Sequence, residues 1–533
     1  MKSKKVWITV LCIVMAVALV LAAVVMVPRW LQKKNDVLPP MADPIDDNYR
    51  TFYQIFVGSF SDSNGDGIGD LRGIINRFDY LNDGNINSGK SLGVQGIWLS
   101  PIFTSPSYHK YDVKDYYTVD WRFGTEEDLK ELVDLCHQRN VKLILDLAIN
   151  HTAKSHDWFV KFEQARKAGN TTNPYYDYYS CATTAEKVNG VVYQKIAGID
   201  CWYECNFSGD MPELNFDNPN VRQATLDIAK YYLNLGVDGF RFDAIKYIYM
   251  GNTERSVDFW EWYMNELRKI KPDVYCVGEC WSGETEVLDY YKAMNCFDFS
   301  MSQAEGFAAA AAKGGNIYKF TSRVASYQNK VTYKHTGAMP QFFLSNHDMD
   351  RIAGSFVTEN YARMAANLYL LAPGSPVIYY GEELGMRGSR GGENTDANRR
   401  LAMLWGDDDG VCNPIGSTYP ASNQIQTTVA DQVGDEGSMY EYYRRLIALR
   451  HKYEAIARGI YRAVDCGEKR FGGFAIEYGG ETLYLFHNTD TDELTIDVSE
   501  FGATSLCDSI GAGGAELKDK TLTIGGQTSV ILK

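Results

Sequence analysis

The run Lys142-Leu143-Ile144-Leu145-Asp146-Leu147-Ala148-Ile149-Asn150-His151 carries apolar residues at consecutive positions instead of alternate ones. A strand that is apolar on both faces must be covered on both sides, which is the pattern of a parallel sheet flanked by helices. Similar short runs recur along the chain. They predict strands at 51–60, 96–101, 142–150, 239–244, 274–279, 297–301, 341–348 and 376–380.

Amphipathic helices are expected between them. Thr125, followed three residues later by Asp128, has the spacing of a capping box, and Leu129, Leu132, Val133 and Cys136 then share one helical face. A second helix follows Asn218-Pro219 and carries Val221, Leu226, Ile228 and Leu233. Strands alternating with helices in this way predict a (β/α)8 barrel. Residues 49–151 and 216–459 are assigned to it. More than sixty residues rich in Tyr, Asn, Gly and Cys interrupt the rhythm after His151. A connection that long reads as a small inserted domain, 152–215. From 460 to 533 short apolar runs separated by Gly and Asp turns predict a terminal antiparallel β-domain.

The amino terminus is of another kind. Lys2, Lys4 and Lys5 precede an apolar run from Val6 to Val27. About 20 apolar residues span a bilayer as a helix, and basic residues hold their side in the cytoplasm. Residues 1–27 therefore read as a membrane anchor or signal segment, with a proline-rich linker at 28–48 and the remainder outside the cell. The formal net charge is -15 and no basic tract follows the amino terminus, which excludes a nucleic-acid partner. Of eleven cysteines, Cys181, Cys201 and Cys205 cluster in a polar stretch where a disulfide is compatible with export. Cys276, Cys280 and Cys296 lie in apolar runs and read as buried thiols.

In a barrel of this type the active site forms at the carboxyl ends of the strands. Four ends carry ionisable groups. The third runs from Asp146 to His151, and the fourth reads Gly239-Phe240-Arg241-Phe242-Asp243-Ala244-Ile245-Lys246. The fifth reads Val277-Gly278-Glu279-Cys280-Trp281 and the seventh Ser345-Asn346-His347-Asp348. Any one of these could cap a helix, form an ordinary ion pair or be a satisfied structural histidine. Four on one rim are hard to explain as capping.

In order and strand placement these segments resemble the four signature regions of the α-amylase family of glycoside hydrolases. The resemblance spans roughly 49 to 533. Met211-Pro212-Glu213-Leu214-Asn215 resembles a fifth region, in which members often carry Asp in place of Glu213. The resemblance implies that Asp243 is the nucleophile, held ionised by Arg241, and that Glu279 is the general acid and base. Asp348 would stabilise the oxocarbenium-like transition state. His151 and His347 would donate hydrogen bonds to the same sugar, Tyr111 would form its stacking platform, and Lys246 would reach the leaving-group side. The implied mechanism retains anomeric configuration, with the two reacting carboxyl groups about 5–5.5 Å apart.

Asp62-Ser63-Asn64-Gly65-Asp66-Gly67-Ile68-Gly69-Asp70 sets oxygen donors at alternate positions with glycine at the bend. Asp62, Asn64, Asp66, the Ile68 carbonyl and Asp70 match the first nine positions of a calcium loop. Gly73 stands where an EF-hand requires a bidentate Glu, so an EF-hand is rejected. Loops after the first strand bind calcium in many members of the family, and a structural Ca2+ is expected here. A plain Asn/Gly/Asp turn is the competing reading.

Ala244 follows the nucleophile position, where relatives that cut α-1,6 bonds in short oligosaccharides usually have Val. The short linker also leaves no room for the amino-terminal β-domain of neopullulanase-like relatives. The expected activity is therefore hydrolysis of α-1,4 bonds in starch, glycogen or maltodextrins. Neopullulanase or α-glucosidase action on maltooligosaccharides is the alternative, because the Glu213 segment resembles members of intermediate specificity. Some membrane-anchored relatives keep the barrel as a non-catalytic ectodomain. They typically lack part of the catalytic set, which is complete here.

Overall fold

The computed structural model describes residues 48–85, 88–335, 337–391, 395–406 and 408–533. The apolar segment expected to act as an anchor or signal, and nearly all of the linker, lie outside these residues. Among the described residues no helix is long and apolar enough to cross a membrane.

Seven strands form one parallel sheet: β1 (Phe52–Ile55), β2 (Gly96–Leu99), β3 (Lys142–Leu147), β4 (Gly239–Phe242), β5 (Tyr275–Gly278), β6 (Asn295–Cys296) and β7 (Val377–Tyr379). Their order is β6-β5-β4-β3-β2-β1-β7. Parallel bridges from Phe297 to Gln341 and from Phe343 to Val377 close the ring between β6 and β7. The eighth stave is thus a two-bridge segment where the sequence pattern predicts a strand over 341–348. The sixth strand, expected at 297–301, sits at Asn295–Cys296 instead. The Asp298 carboxylate accepts from the Ser300 amide at 2.9 Å and the Asp298 carbonyl from the Met301 amide at 3.4 Å, so a turn follows directly on the pairing of Phe297 with Gln341.

The period of two divides each strand between two environments. Phe52, Trp98, Ile144, Tyr275, Val277, Phe297, Phe343 and Val377 fill the barrel lumen. Alternate residues such as Tyr53, Ile97, Leu143, Leu145 and Phe240 belong to the core that includes the helices. Helix α1 (Glu126–Gln138) starts at the Thr125–Asp128 capping box, and α2 (Pro219–Asn234) at Asn218 with Pro219 in its first turn. Helices α3 (Thr253–Ile270), α4 (Ile317–Lys334), α5 (Glu359–Leu370) and α6 (Met439–Lys452) follow.

The segment after β3 contains a helix, Asp157–Lys167, and a three-stranded antiparallel sheet of Cys181–Ala182, Tyr193–Lys195 and Trp202–Glu204. It returns to the rim through an antiparallel bridge between His151 and Glu213. Cys181, Cys201 and Cys205 are all free thiols. Cys181 pairs with Tyr203, two residues from Cys201 in sequence. The carboxyl-terminal part forms a five-stranded antiparallel sheet, with 506–511 at one edge, and a separate three-stranded sheet.

Candidate active site

The site grows from the register of β3, β4 and β5. Asp146 pairs with Arg241, and Arg241 pairs with Val277, so all three share the inward face. Ile144 and Val277 lie in the apolar lumen, while Asp146 and Arg241 form its polar upper layer. Both charged side chains are fully buried, which is sustainable only with partners.

Arg241 has them. Its Nη1 donates to Asp146 Oδ1 at 2.8 Å and to Asp243 Oδ1 at 2.6 Å. Its Nη2 forms an ion pair with Glu279 Oε1 at 2.9 Å. One guanidinium therefore gathers three carboxyl groups. Asp146 also accepts from Trp98 Nε1 at 3.1 Å and from the Tyr111 hydroxyl at 2.8 Å. Glu279 Oε2 accepts from the Ala244 amide at 3.3 Å. That amide is aimed by an unusual backbone, since Ala244 has φ of 51°, in the left-handed region that non-glycine residues seldom enter. Asp243 and Glu279 thus share the Arg241 guanidinium through its two adjacent nitrogens.

Three carboxyls around one cation cannot all ionise freely. Burial pushes Glu279 up to about 7 against the pull of Arg241, with Asp243 and Asp348 adding to the rise. Burial also raises Asp243, and Arg241 draws it back. Asp146 is driven up to about 7 by burial, again opposed by Arg241. Burial and the neighbouring carboxyls thus push both Asp146 and Glu279 toward the protonated form.

On the opposite side, Asp348 meets His347 Nε2 at 2.9 Å and Arg400 Nη2 at 2.8 Å. Burial works against its ionisation, but His347 and then Arg400 hold it far below the ordinary carboxylate range. Gln54 donates to His347 Nδ1 at 2.6 Å, which leaves Nε2 as the protonated nitrogen, 2.6 Å from the Tyr111 hydroxyl. The Tyr111 and His347 rings stack with centroids 5.4 Å apart. Arg400 also donates to the Tyr108 hydroxyl and the His347 carbonyl, each at 2.9 Å.

His151 is buried and held neutral, its pKa pushed down to about 4 by burial. Its Nε2 has no hydrogen-bond partner among the described residues. Its ring lies 5.1 Å from Phe207 of the inserted segment, and Phe207 lies 4.7 Å from Tyr247. Lys246 donates from Nζ to the Trp281 carbonyl at 2.7 Å, beside the half-exposed Trp281 ring, which stacks on Phe299.

The structure thus brings Tyr111, Arg241, Asp243, Glu279, His347 and Asp348 into one network, with His151 and Lys246 at its edges. Sequence reasoning gave no role to Asp146, although it quoted the residue, and it did not find Gln54, Trp98 or Arg400. Arg400 belongs to the loop after β7, where neither period nor spacing marks it.

The residues expected to bind calcium lie on the loop after β1. Asp62 Oδ1 accepts from the amides of Asn64 and Gly65 at 3.0 and 2.8 Å, and its Oδ2 from Gly67 at 2.7 Å. Asn64 accepts from Asp66 at 2.9 Å and Asp66 from Ile68 at 2.8 Å. Positive φ at Gly65 and Gly67 lets the loop coil tightly. The donors are all oxygen, as a hard divalent cation requires. Asp70 differs from the rest: Oδ1 caps the next helix at the Gly73 amide, 2.6 Å, and Oδ2 accepts from Ser63. Among the described residues no three His, Cys, Asp or Glu side chains converge as a metal-binding group.

Comparison with known proteins places this geometry in context. The family description "Alpha amylase, catalytic domain" matches residues 54–459. Alpha-amylase 3 of Dictyoglomus thermophilum is 34% identical over 487 residues, covering 90% of this chain and 92% of that relative. An oligo-1,6-glucosidase of Bacillus cereus is 29% identical over 84% of this chain and 91% of its own length. The solved structure of Eubacterium rectale Amy13B superposes with a TM-score of 0.85 at 34% identity, covering 92% of this chain and 97% of that one.

Proposed function

The chain belongs to the α-amylase family of glycoside hydrolases, and from that premise we propose that it hydrolyses α-1,4-glucosidic bonds in starch, glycogen or maltodextrins with retention of configuration. The observation that carries this reading is the division of labour around Arg241. One carboxyl, Glu279, holds a proton near neutrality while its neighbour Asp243 stays bound to the cation. Such a pair supplies an acid and a nucleophile at the same pH.

In the proposed reaction Asp243 attacks the anomeric carbon while Glu279 delivers its proton to the departing glycosidic oxygen. Glu279, now ionised, takes a proton from the water that resolves the glycosyl-enzyme. Asp348, kept anionic by His347 and Arg400, stabilises positive charge on the ring. The neutral His151, with an unsatisfied Nε2, and the Tyr111–His347 stack hold the same sugar. Lys246 and Trp281 face the leaving group from the Glu279 side.

The pH profile follows from these directions. Glu279 must be protonated, so kcat/KM is expected to fall as pH rises through about 7. Asp243 must be ionised, so activity falls on the acid side through a value above the ordinary Asp range. A bell with its alkaline limb near 7, measured on maltopentaose, is the expected result. A flat profile from 6 to 9 would remove the acid role of Glu279.

Substrate preference is read from products. Mixed α-anomeric oligosaccharides from amylose, with pullulan cut poorly, support an α-amylase. Glucose alone from short substrates, or panose from pullulan, supports the α-glucosidase or neopullulanase alternative, toward which the oligo-1,6-glucosidase relative points. The apolar segment from Val6 to Val27 supports action outside the cell, where polymer is met.

We also propose a structural Ca2+ on the loop after β1. Asp62, Asn64, Asp66 and the Ile68 carbonyl would hold it, with Asp70 joining if its capping contacts yield. The ion takes no part in the chemistry. At a hundredfold excess over Kd it would stabilise the fold by about 2.7 kcal/mol. Chelation is expected to lower the Tm of the wild type, and Asp62→Ala to abolish that sensitivity. A Tm indifferent to chelator and calcium would reject the site.

A further inference from the structure

A cleft of about 760 Å3 lies apart from the carboxyl network, between α6 and the edge strand 506–511. Cavities for small organic ligands are of about this size, ~300–1,000 Å3. Arg444, Arg445, His451 and Lys452 line its α6 wall. Positions three, four and seven apart share a helical face, so Arg445, Leu449 and Lys452 project together with Arg444 and His451 beside them. These basic residues stand in a chain whose net charge is -15.

Only part of that charge is compensated. Arg444 Nε pairs with Glu441 at 2.6 Å, and Lys452 Nζ with Asp508 at 2.7 Å. Arg445 is exposed, with no ion pair among the described residues. Neither ring nitrogen of His451 has a hydrogen-bond partner there. Burial and the neighbouring Arg450 push the His451 pKa down to about 3, so the ring is neutral and its buried nitrogens form part of the cleft wall. On the facing strand Ser509 is exposed. The cleft presents no open aromatic face, since Tyr442 is buried and spends its hydroxyl on Asn367 at 2.7 Å. A neutral oligosaccharide would find nothing to stack on.

We propose that this cleft is a binding site for a small phosphate monoester of sugar-phosphate size. The three terminal oxygens of a phosphate can accept from a guanidinium fork and a second cation at once. Arg445 supplies the fork, and Lys452, seven residues on along the same helical face, the second cation. The volume beyond the phosphate accommodates the organic part against Leu449 and the backbone of Gly511 and Gly513.

The test is calorimetric titration of the full chain with glucose 1-phosphate, inorganic phosphate and glucose at matched ionic strength. Glucose 1-phosphate is expected to bind more tightly than inorganic phosphate, and glucose not at all. Losing one charge-assisted contact should weaken binding by about tenfold or more. Arg445→Glu and Ser509→Glu are therefore both expected to do so, while hydrolysis of maltopentaose by either variant stays at the wild-type rate. Three results would each overturn the proposal: no binding of glucose 1-phosphate, equal binding of glucose, or affinity unchanged in both variants. Inorganic phosphate binding as tightly as the ester would overturn it too, as an adventitious anion site. The readout is binding away from the carboxyl network, so it stands or falls separately from the hydrolytic reading.

Discussion

Asp243→Asn is expected to lower kcat on maltopentaose by about four to six orders of magnitude, because the proposed reaction forms the glycosyl-enzyme on Asp243. The fold should survive. Asn can still accept from Arg241 Nη1 through its side-chain carbonyl, so the contact at 2.6 Å is kept in shape while its charge is lost. The companion variant, Glu279→Gln, should lose about two to four orders of magnitude, the usual worth of general acid–base catalysis. The two are separated by leaving group. An aryl maltoside with an acidic phenol needs no protonation, so Glu279→Gln should recover bond cleavage on it and accumulate the glycosyl-enzyme. Asp243→Asn should recover nothing. Recovery in the Asp243 variant instead, or hydrolysis unchanged in the Glu279 variant, would reverse or reject the assigned roles.

The second large effect is expected at Arg241. Arg241→Leu leaves Asp146, Asp243 and Glu279 without the cation that all three face. Breaking a buried ion pair on one side costs about 3–5 kcal/mol. The loss should depend on pH with a definite sign. Without the guanidinium the carboxyl pKa values rise further above their unfolded values, so the folded state binds more protons than the unfolded one. Stability then falls as pH rises from the unfolded value, near 4, through the raised folded values. The deficit relative to wild type should accordingly be small near pH 4 to 5 and greatest at pH 7 to 8 in denaturant melts. Arg241→Lys, which keeps the charge but cannot bridge two carboxyls from adjacent nitrogens, should recover part of the stability and little of the activity. A deficit independent of pH would mean that Arg241 acts by packing against Trp98 and not through charge.

Much of this molecule is legible along the chain because its governing interactions are local. The consecutive apolar residues of β3 report burial on two faces, and Thr125 and Asn218 announce helix starts through caps that form within three residues. The strand ends holding Asp146, Asp243, Glu279 and Asp348 follow from the same reading, since a strand in a barrel has only one rim on which to end. The loop from Asp62 to Asp70 is legible too, as its alternate oxygens bind backbone amides two to five residues on.

What needed the tertiary structure is the set of contacts that no spacing encodes. Gln54 and His347 are 293 positions apart, and Arg400 and Tyr108 are 292 apart, yet each pair is one hydrogen bond. The shortened sixth strand was equally hidden, because the turn at Asp298 diverts backbone that its apolar residues alone would extend. Above all, the raised pKa of Glu279 is not a property of a glutamate after a strand. It arises because β3, β4 and β5 bring three carboxyls to one buried guanidinium, where desolvation makes full ionisation too costly. Sequence by itself determined which residues stand on the rim, since hydrogen bonding and side-chain period act over a few residues. Only the closed barrel decided their charge, since electrostatic energy depends on distance and burial across all the strands.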